Sequence, residues 1–281
     1  MPLKNKITEV PLSKLIFVAL DIETTGLDPF KDRILEIAGI KFNIEGREKG
    51  KLSLLVNPGI PIPPEVIRIH GISENMVKGK PTIREALHLL KNFIGDETIL
   101  IFHNAWFDLA FLGKAFHDTH LPPPSLPVID TLPLSQRYLS GKEGCSLQAV
   151  FRRVSNKTLE FHRAFDDSLA VKEIFIHLVR KLRISYLSEI LKKKEIIFFP
   201  EGFLPGVQLG GNYAFINQAR EKKTPLEIEY PEKGRMRRYQ IIINEVIKGG
   251  KKIFLYASCL PTYQKKYFEL HKIYFPPVRN F

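Results

Sequence analysis

Two carboxylates stand two residues apart at the end of an apolar run, in Phe17-Val18-Ala19-Leu20-Asp21-Ile22-Glu23-Thr24-Thr25-Gly26-Leu27. From Leu15 to Leu20 the run has no polar relief, which predicts a strand buried on both faces of a sheet. Side chains alternate along a strand, so Asp21 and Glu23 project to one face and Ile22 to the other. Two like charges so placed repel each other and are costly to desolvate unless a positive charge lies between them. A divalent cation is the simplest such charge. Carboxylate oxygens suit Mg²⁺ or Mn²⁺, and the chain offers no thiolate and imidazole set of the kind zinc takes. The Thr-Thr-Gly turn that follows exposes backbone N–H groups able to hold a hydroxyl or a phosphate. Taken alone, an acid pair like this is more often a solvated strand end or a helix cap, so the case rests on what recurs downstream.

Polar groups are delivered to a strand end a second time. Strand Thr98 to Phe102 runs straight into His103-Asn104-Ala105-Trp106-Phe107-Asp108, which puts Asp108 in the first turn of a helix reaching Phe116. The apolar face of that helix is Ala105, Leu109, Leu112 and Phe116. The helix dipole alone would also favour an acid there. A third group opens the long helix from Ala164 to about Leu182, preceded by His162. Of its adjacent acids, Asp167 shares a face with Val171, Ile174 and Leu178 and points toward the sheet. Asp166 shares a face with Ala170, Glu173 and His177 and points toward water. A buried carboxylate needs a partner, which selects Asp167. His162 by itself reads as a surface-loop histidine, and His70 and His103 read as structural. Glu36 falls in the middle of a strand, away from any strand end, and is not assigned to the metal site.

The elements that must position these residues follow from periodicity. Residues 33–43 (RILEIAGIKFN) predict a second strand, Glu45-Gly46-Arg47 a turn, and Leu52 to Val56 a third strand, giving a meander closed by Asn57-Pro58-Gly59. Thr82 and Glu85 form a capping-box pattern ahead of a helix with Ala86, Leu87, Leu89, Leu90, Phe93 and Ile94 at helical spacing. A short strand at Val128-Ile129-Asp130 leads to helices at 131–139 and 146–154, the latter begun by Ser146. Strands and helices alternate through residue 182, which predicts one α/β domain over residues 1–183. Residues 184–221 read as a linker and connecting helix, with a charged run Lys192-Lys193-Lys194-Glu195 and scattered glycine and proline. Residues 222–281 hold four strand-like segments and a Gly249-Gly250 hairpin signal, which predicts a small β-barrel-like domain.

The 281 residues are 26% charged and 44% hydrophobic, an ordinary soluble composition, but the net charge is +12. Residues 186–281 carry 17 Lys+Arg against 9 Asp+Glu, so the basic excess is concentrated there and suggests a polyanion such as nucleic acid as partner. Cys145 and Cys259 are the only cysteines, which excludes a disulfide framework or a cysteine metal cluster and points to a reducing compartment. No early apolar run is long enough for a membrane span, and Met1 to Lys14 is too polar for a signal peptide. A cytoplasmic location is expected.

Together the stretches DIETTG (21–26), HNAWFDLAFL (103–112) and HRAFDDSLA (162–170) resemble the three motifs of the DEDDh 3′→5′ exonucleases, the group that includes bacterial proofreading subunits. LVNPGIPIPPEVIRIHGIS (55–73), IDTL (129–132) and SLQAV (146–150) resemble that family's connecting segments. The resemblance implies a ribonuclease H-like mixed sheet flanked by helices over about residues 15–182. It implies hydrolysis of phosphodiester bonds from the 3′ end of single-stranded or frayed nucleic acid, DNA favoured over RNA, with release of nucleoside 5′-monophosphates. Two divalent cations, Mg²⁺ or Mn²⁺, would be held by Asp21 as the bridging ligand with Glu23, Asp108 and Asp167, and His162 would take a proton from the attacking water. An imidazole suits that role because its unperturbed pKa lies near neutrality. Thr24, Thr25, Leu27 and Asn104 would hold the terminal nucleotide, and a polymerase or repair protein is an expected partner.

The C-terminal stretches PLEIEY (225–230), KIFLYASC (252–259) and KYFELHKI (266–273) resemble a WYL domain, a small barrel of prokaryotic regulators that can bind single-stranded nucleic acid or another ligand. Ile253-Phe254-Leu255 stands at the tripeptide that names that domain, and Lys266 and Lys272 stand where arginine is expected. Tyr230, Phe254, Tyr256 and Tyr267, interleaved with Arg235, Arg237, Arg238, Lys265 and Lys266, could stack bases and hold phosphates, or could form the barrel core with the cations in water. The alternative function is a non-catalytic nucleic-acid-binding regulator. The filling of all five acid and histidine positions, and the lack of an evident helix-turn-helix, favour the nuclease.

Overall fold

The computed structural model describes residues 7–29, 31–189, 191, 196–199, 204–232, 234–249 and 252–276; the charged run at 192–195 lies outside them. The chain divides into two units, Met1–Pro200 and Glu201–Phe281.

The first unit is built on a six-stranded mixed sheet. Its strands are β1 (Ile16–Thr24), β2 (Ile34–Asn43), β3 (Glu48–Leu55), β4 (Thr98–Phe102), β5 (Pro127–Asp130) and β6 (Ile197–Phe198), in the order β3-β2-β1-β4-β5-β6. The meander β1-β2-β3 is antiparallel, β4 and β5 run parallel to β1, and β6 returns antiparallel to β5. Between them come α1 (Pro64–His70), α2 (Glu74–Val77), α3 (Ile83–Ile94), α4 (Ala105–Asp118), α5 (Thr131–Tyr138), α6 (Leu147–Val154) and α7 (Ala164–Leu182). Alternation along β1 feeds two separate cores. Phe17 and Ala19 pack with Ile99 and Ile101 against Val171, Ile174, Phe175 and Leu178 of α7. Val18 and Leu20 pack with Leu100 and Phe102 against Leu87 and Leu90 of α3 and Leu109 and Leu112 of α4. Each such side chain contributes about 1.5–3 kcal/mol on burial, so the central strand is fixed from both sides.

The capping box of Thr82 and Glu85 forms, and the Ser146 side chain accepts from the Ala149 N–H at the start of α6. Strand β3 begins at Glu48 rather than at Leu52, because its ladder with β2 continues through a register shift to Phe42 paired with Glu48. No apolar alternation marks that extension, since Glu48, Lys49 and Lys51 are exposed.

In the second unit, β7 (Leu204–Pro205), β8 (Leu226–Glu232), β9 (Arg235–Gly249), β10 (Lys252–Leu260) and β11 (Gln264–Glu269) are antiparallel, with α8 (Ala214–Lys222) before β8. The 15-residue β9 pairs with β8 over its first half and with β10 over its second, and a register shift falls at Tyr256/Ala257. The sheet therefore curls into a half-barrel around Ile228, Ile241, Val246, Leu255 and Phe268, the form the expected barrel-like domain takes; among the described residues no ladder joins β8 to β11. Helix α8 buries Ile216 and Ala219, Ile216 within that same core, while β6 joins the first sheet. Of the stretch 184–221, read as a linker and connecting helix, the described part includes β6 in the first sheet and most of α8, the helix before β8. Two-residue strands such as β6 and β7 carry no readable pattern in sequence. Among the described residues no helix is long and apolar enough to cross a membrane.

Candidate active site

The antiparallel ladder of β1 with β2 runs to Glu23 and shifts register at Thr24, while the parallel ladder with β4 stops at Ala19. The end of β1 therefore projects past β4, and the space beyond β4 is taken by the first turn of α4. Asp108 lies there, 3% exposed, with its carboxyl receiving the backbone N–H of Ile22, the residue between Asp21 and Glu23. From the other side α7 delivers Asp167. Asp21, Glu23 and Asp167 each offer one carboxylate oxygen, and these three atoms lie within 4.8 Å of one another. Asp108 is not one of that group but stands close enough to raise the pKa of Asp21.

The electrostatics are those of acids in want of a cation. Burial first, then the carboxylates of Asp108, Asp167, Glu23 and Glu36, holds Asp21 well above the usual carboxylate range. Burial, Asp167 and Glu36 push Glu23 up to about 8, against the partial relief of Arg163. Burial pushes Asp167 up to about 7, with Asp166 and Glu36 adding to it and the His162 backbone N–H opposing it. Asp108 is raised mainly by burial. The fit to a cation has a direct sign: Asp167 Oδ2 accepts the His162 N–H at 3.1 Å, whereas Oδ1 is buried with no hydrogen-bond partner. A buried carboxylate oxygen without a donor is costly, and a hard divalent cation is the ligand that an all-oxygen set takes.

His162 lies two residues before this helix with φ +68°; it is exposed, and its backbone N–H is the group bound to Asp167. Among the residues expected to hold a nucleotide, Leu27 is 84% exposed on the loop after β1, and Asn104 is exposed with φ +69°. Thr24 is buried and donates its hydroxyl to the Gly26 carbonyl at 2.6 Å. Thr25 is 1% exposed, its hydroxyl contacts Asp32 and the Arg33 N–H, and its own N–H bonds the Arg33 carbonyl, so its side chain braces the loop. Gly26 is required beside it, because a Cβ there would collide with the Asp32 carboxylate. His70 and His103 are structural, His70 accepting from the Ile72 N–H and His103 bonding Thr131 and the Cys145 carbonyl.

Asp130 and Trp106 at the site escaped the sequence reading, and Glu36, set aside there as a mid-strand acid, lies beside the cluster. Asp130, at the end of β5, accepts the N–H groups of Asn104, Ala105 and Leu132, and so ties the starts of α4 and α5 to one carboxylate. Its place in IDTL at a strand end was the available signal. Trp106, the only tryptophan, is 42% exposed on the same turn as Asp108. Glu36, fully buried, is paired across the ladder with Glu23 and ion-paired with Arg163.

With this geometry in hand, comparison with known proteins is informative. Residues 18–175 match the exonuclease family RNase_T. A DNA polymerase III subunit epsilon-like protein of Rhodobacter capsulatus is 37% identical over 191 residues, covering 64% of this chain and 26% of that protein. A DNA polymerase III PolC-type of Clostridium perfringens is 34% identical over 190 residues, covering 63% of this chain and 13% of that protein. The chain thus spans only a small part of either relative's length. Among solved structures, E. coli exonuclease I in complex with a dA16 oligonucleotide aligns with TM-score 0.54 at 15% identity, over 87% of this chain and 55% of that one. The nuclease domain of 3′hExo, a DEDDh family member bound to rAMP, aligns with TM-score 0.52 at 18% identity, over 59% of this chain and 92% of that one. These two likenesses concern the fold. The family match runs from β1 into α7 and takes in every acid of the cluster, and the chain belongs to the RNase_T exonuclease family.

Proposed function

We propose that the chain is a metal-dependent 3′→5′ exonuclease that removes nucleoside 5′-monophosphates from single-stranded or frayed DNA. The observation that carries this is the convergence of one carboxylate oxygen each from Asp21, Glu23 and Asp167 within 4.8 Å, with Asp167 Oδ1 buried and unpartnered. In this reading Asp21, Glu23, Asp108 and Asp167 hold two divalent cations, Mg²⁺ or Mn²⁺. Such a pair supplies the positive charge that stabilises the attacking and leaving oxygens of an in-line displacement. His162, exposed and bound to Asp167 through its backbone N–H, takes the proton of the attacking water at its ring nitrogen. The loop of Thr24 and Leu27, together with Asn104, receives the terminal nucleotide; Leu27 offers an apolar side chain to a base, and Thr24 and Asn104 offer polar groups to sugar or phosphate.

DNA is favoured over RNA because the curated relatives at 34% and 37% identity carry the names of DNA polymerase III proteins, which also supports a polymerase or repair partner. The second unit, within the basic C-terminal third, assists by holding the strand. There Tyr230 and Tyr239 pack on Phe268 inside the half-barrel, while Tyr267 is exposed and its ring lies 4.7 Å from Tyr256, with Lys265 over the Tyr256 ring at 5.8 Å. Aromatic rings with nearby cations suit sequence-tolerant stacking of single strands.

The test is digestion of matched 5′-labelled DNA and RNA oligonucleotides with Mg²⁺ or Mn²⁺, beside Asp167→Ala. Shortening from the 3′ end is expected, DNA faster than RNA, and the substitution is expected to reduce the rate by more than about 100-fold, since even outer-shell changes at metal sites cost 10–100-fold. Strands that are bound but not shortened with either metal would turn the reading toward a regulator.

A further inference from the structure

Glu36 lies fully buried in the middle of β2, directly across the ladder from Glu23. Like charges opposed across an antiparallel pair are destabilising, and a buried carboxylate persists only when its oxygens are satisfied. Glu36 is satisfied from 127 residues away. Arg163 donates Nη2 to Oε1 at 3.1 Å and Nε to Oε2 at 3.2 Å, and the Ala164 backbone N–H adds a third bond to Oε2 at 3.2 Å. This two-point fork is the geometry that arginine makes and lysine does not. Arg163 is the N-cap residue of α7 but makes no side-chain cap of its own; Glu36 supplies the acceptor that the first N–H of α7 needs.

Arg163 follows His162 in the chain, and His162 holds a left-handed backbone, φ +68°, which is uncommon for a residue with a side chain. That conformation is pinned on both sides: the His162 N–H is bound by Asp167 Oδ2, and the next residue is bound by Glu36. The residue is exposed, so the backbone beneath it sets where the imidazole starts from, through the direction of its Cα–Cβ bond. We propose that the Glu36–Arg163 pair is a positioning device for His162, fixing the base against the acid cluster without touching the substrate, while the guanidinium keeps Glu36 from adding a fifth unpaired charge to that cluster. This rests on His162 acting as the base, as proposed above.

The experiment measures kcat and KM for 3′-end shortening of a 5′-labelled single-stranded DNA in Mg²⁺, with folding followed by thermal unfolding. Arg163→Ala is expected to lower kcat about 10–100-fold, the effect of a small misplacement of a reacting group, with KM changed less than about threefold. Arg163→Lys is expected to recover only a minor part of kcat, because an ammonium keeps the charge without the fork. The decisive comparison is in the His162→Ala background, where adding Arg163→Ala is expected to cost less than about twofold, since the two residues act as one unit. Losses that multiply in the double variant, or an Arg163→Ala protein with unchanged kcat, overturn the proposal while leaving the exonuclease reading intact. If Arg163→Ala does not fold, Glu36→Gln, which keeps shape and one acceptor oxygen, is measured in its place, with the same dependence on His162 expected. An unsubstituted protein that shortens neither DNA nor RNA overturns both readings.

Discussion

The protons on Glu23 and Asp167 couple the acid cluster to stability. In an unfolded chain these groups ionise near pH 4, whereas in the folded protein burial and like charges raise them to about 8 and about 7. Across that window the folded state binds more protons than the unfolded one, so stability is fully present below the unfolded pKa and is lost as pH rises through 7 and 8. In a chelator, Tm is expected to fall between about pH 5 and about pH 8.5. Added Mn²⁺ or Mg²⁺ is expected to raise Tm, and more at the upper end, because a cation binds ionised carboxylates and stabilises the state that holds it. A metal-free Tm that rises over this range would contradict the cluster's assignment. Trp106 provides an independent readout. As the single tryptophan, exposed on the turn that carries Asp108, its emission is expected to change when a single-stranded oligonucleotide binds without metal, and Trp106→Phe should abolish the signal. Binding seen by anisotropy with no change in emission would remove Trp106 from the path of the strand.

At the scale of elements, the site depends on the starts of two helices meeting the end of one strand. The start of α7 is held by Glu36, and that of α4 by Asp130, whose carboxylate takes N–H groups from both Asn104 and Ala105. Burial raises the pKa of Asp130, and three backbone donors act against that rise. Asp130→Ala leaves those donors without their acceptor and is expected to cost about 1–3 kcal/mol, read as a lower midpoint in urea with an unchanged slope. Activity should fall with it, because Asp108 rides on the turn that is released. These clasps were hard to see beforehand. The strand and helix periods of β1, α4 and α7 are written locally in Leu15–Leu20, Ala105–Phe116 and Ala164–Leu182, but the partner of a mid-strand acid such as Glu36 lies 127 residues away.

At the scale of the whole molecule, a net charge of +12 predicts a strong salt dependence. Binding of a single strand weakens with a slope of about −0.7 per phosphate contacted, so three contacts imply a loss of about tenfold or more between 50 and 200 mM salt. A binding constant that does not move with salt would argue against phosphate recognition by the basic residues of the second unit. Those residues are partly engaged already: Arg237 pairs with Glu232, Arg238 with Glu229, and Lys266 with Glu232 and the Tyr239 hydroxyl.

The sequence by itself pointed to the α/β class, to most of the elements of the first unit and to the acids Asp21, Glu23 and Asp167 that the fold brings together, because alternation, helical spacing and short motifs are local and each acid falls at a strand end or on a helix face. Only the tertiary structure decided that Asp21, Glu23 and Asp167 meet within 4.8 Å, that Asp167 Oδ1 is left without a partner, and that Glu36 closes on Arg163. It also decided that the C-terminal sheet stops at a half-barrel and takes α8 into its core. These outcomes depend on which distant groups satisfy one another once the chain is packed, and no period in the sequence records that choice.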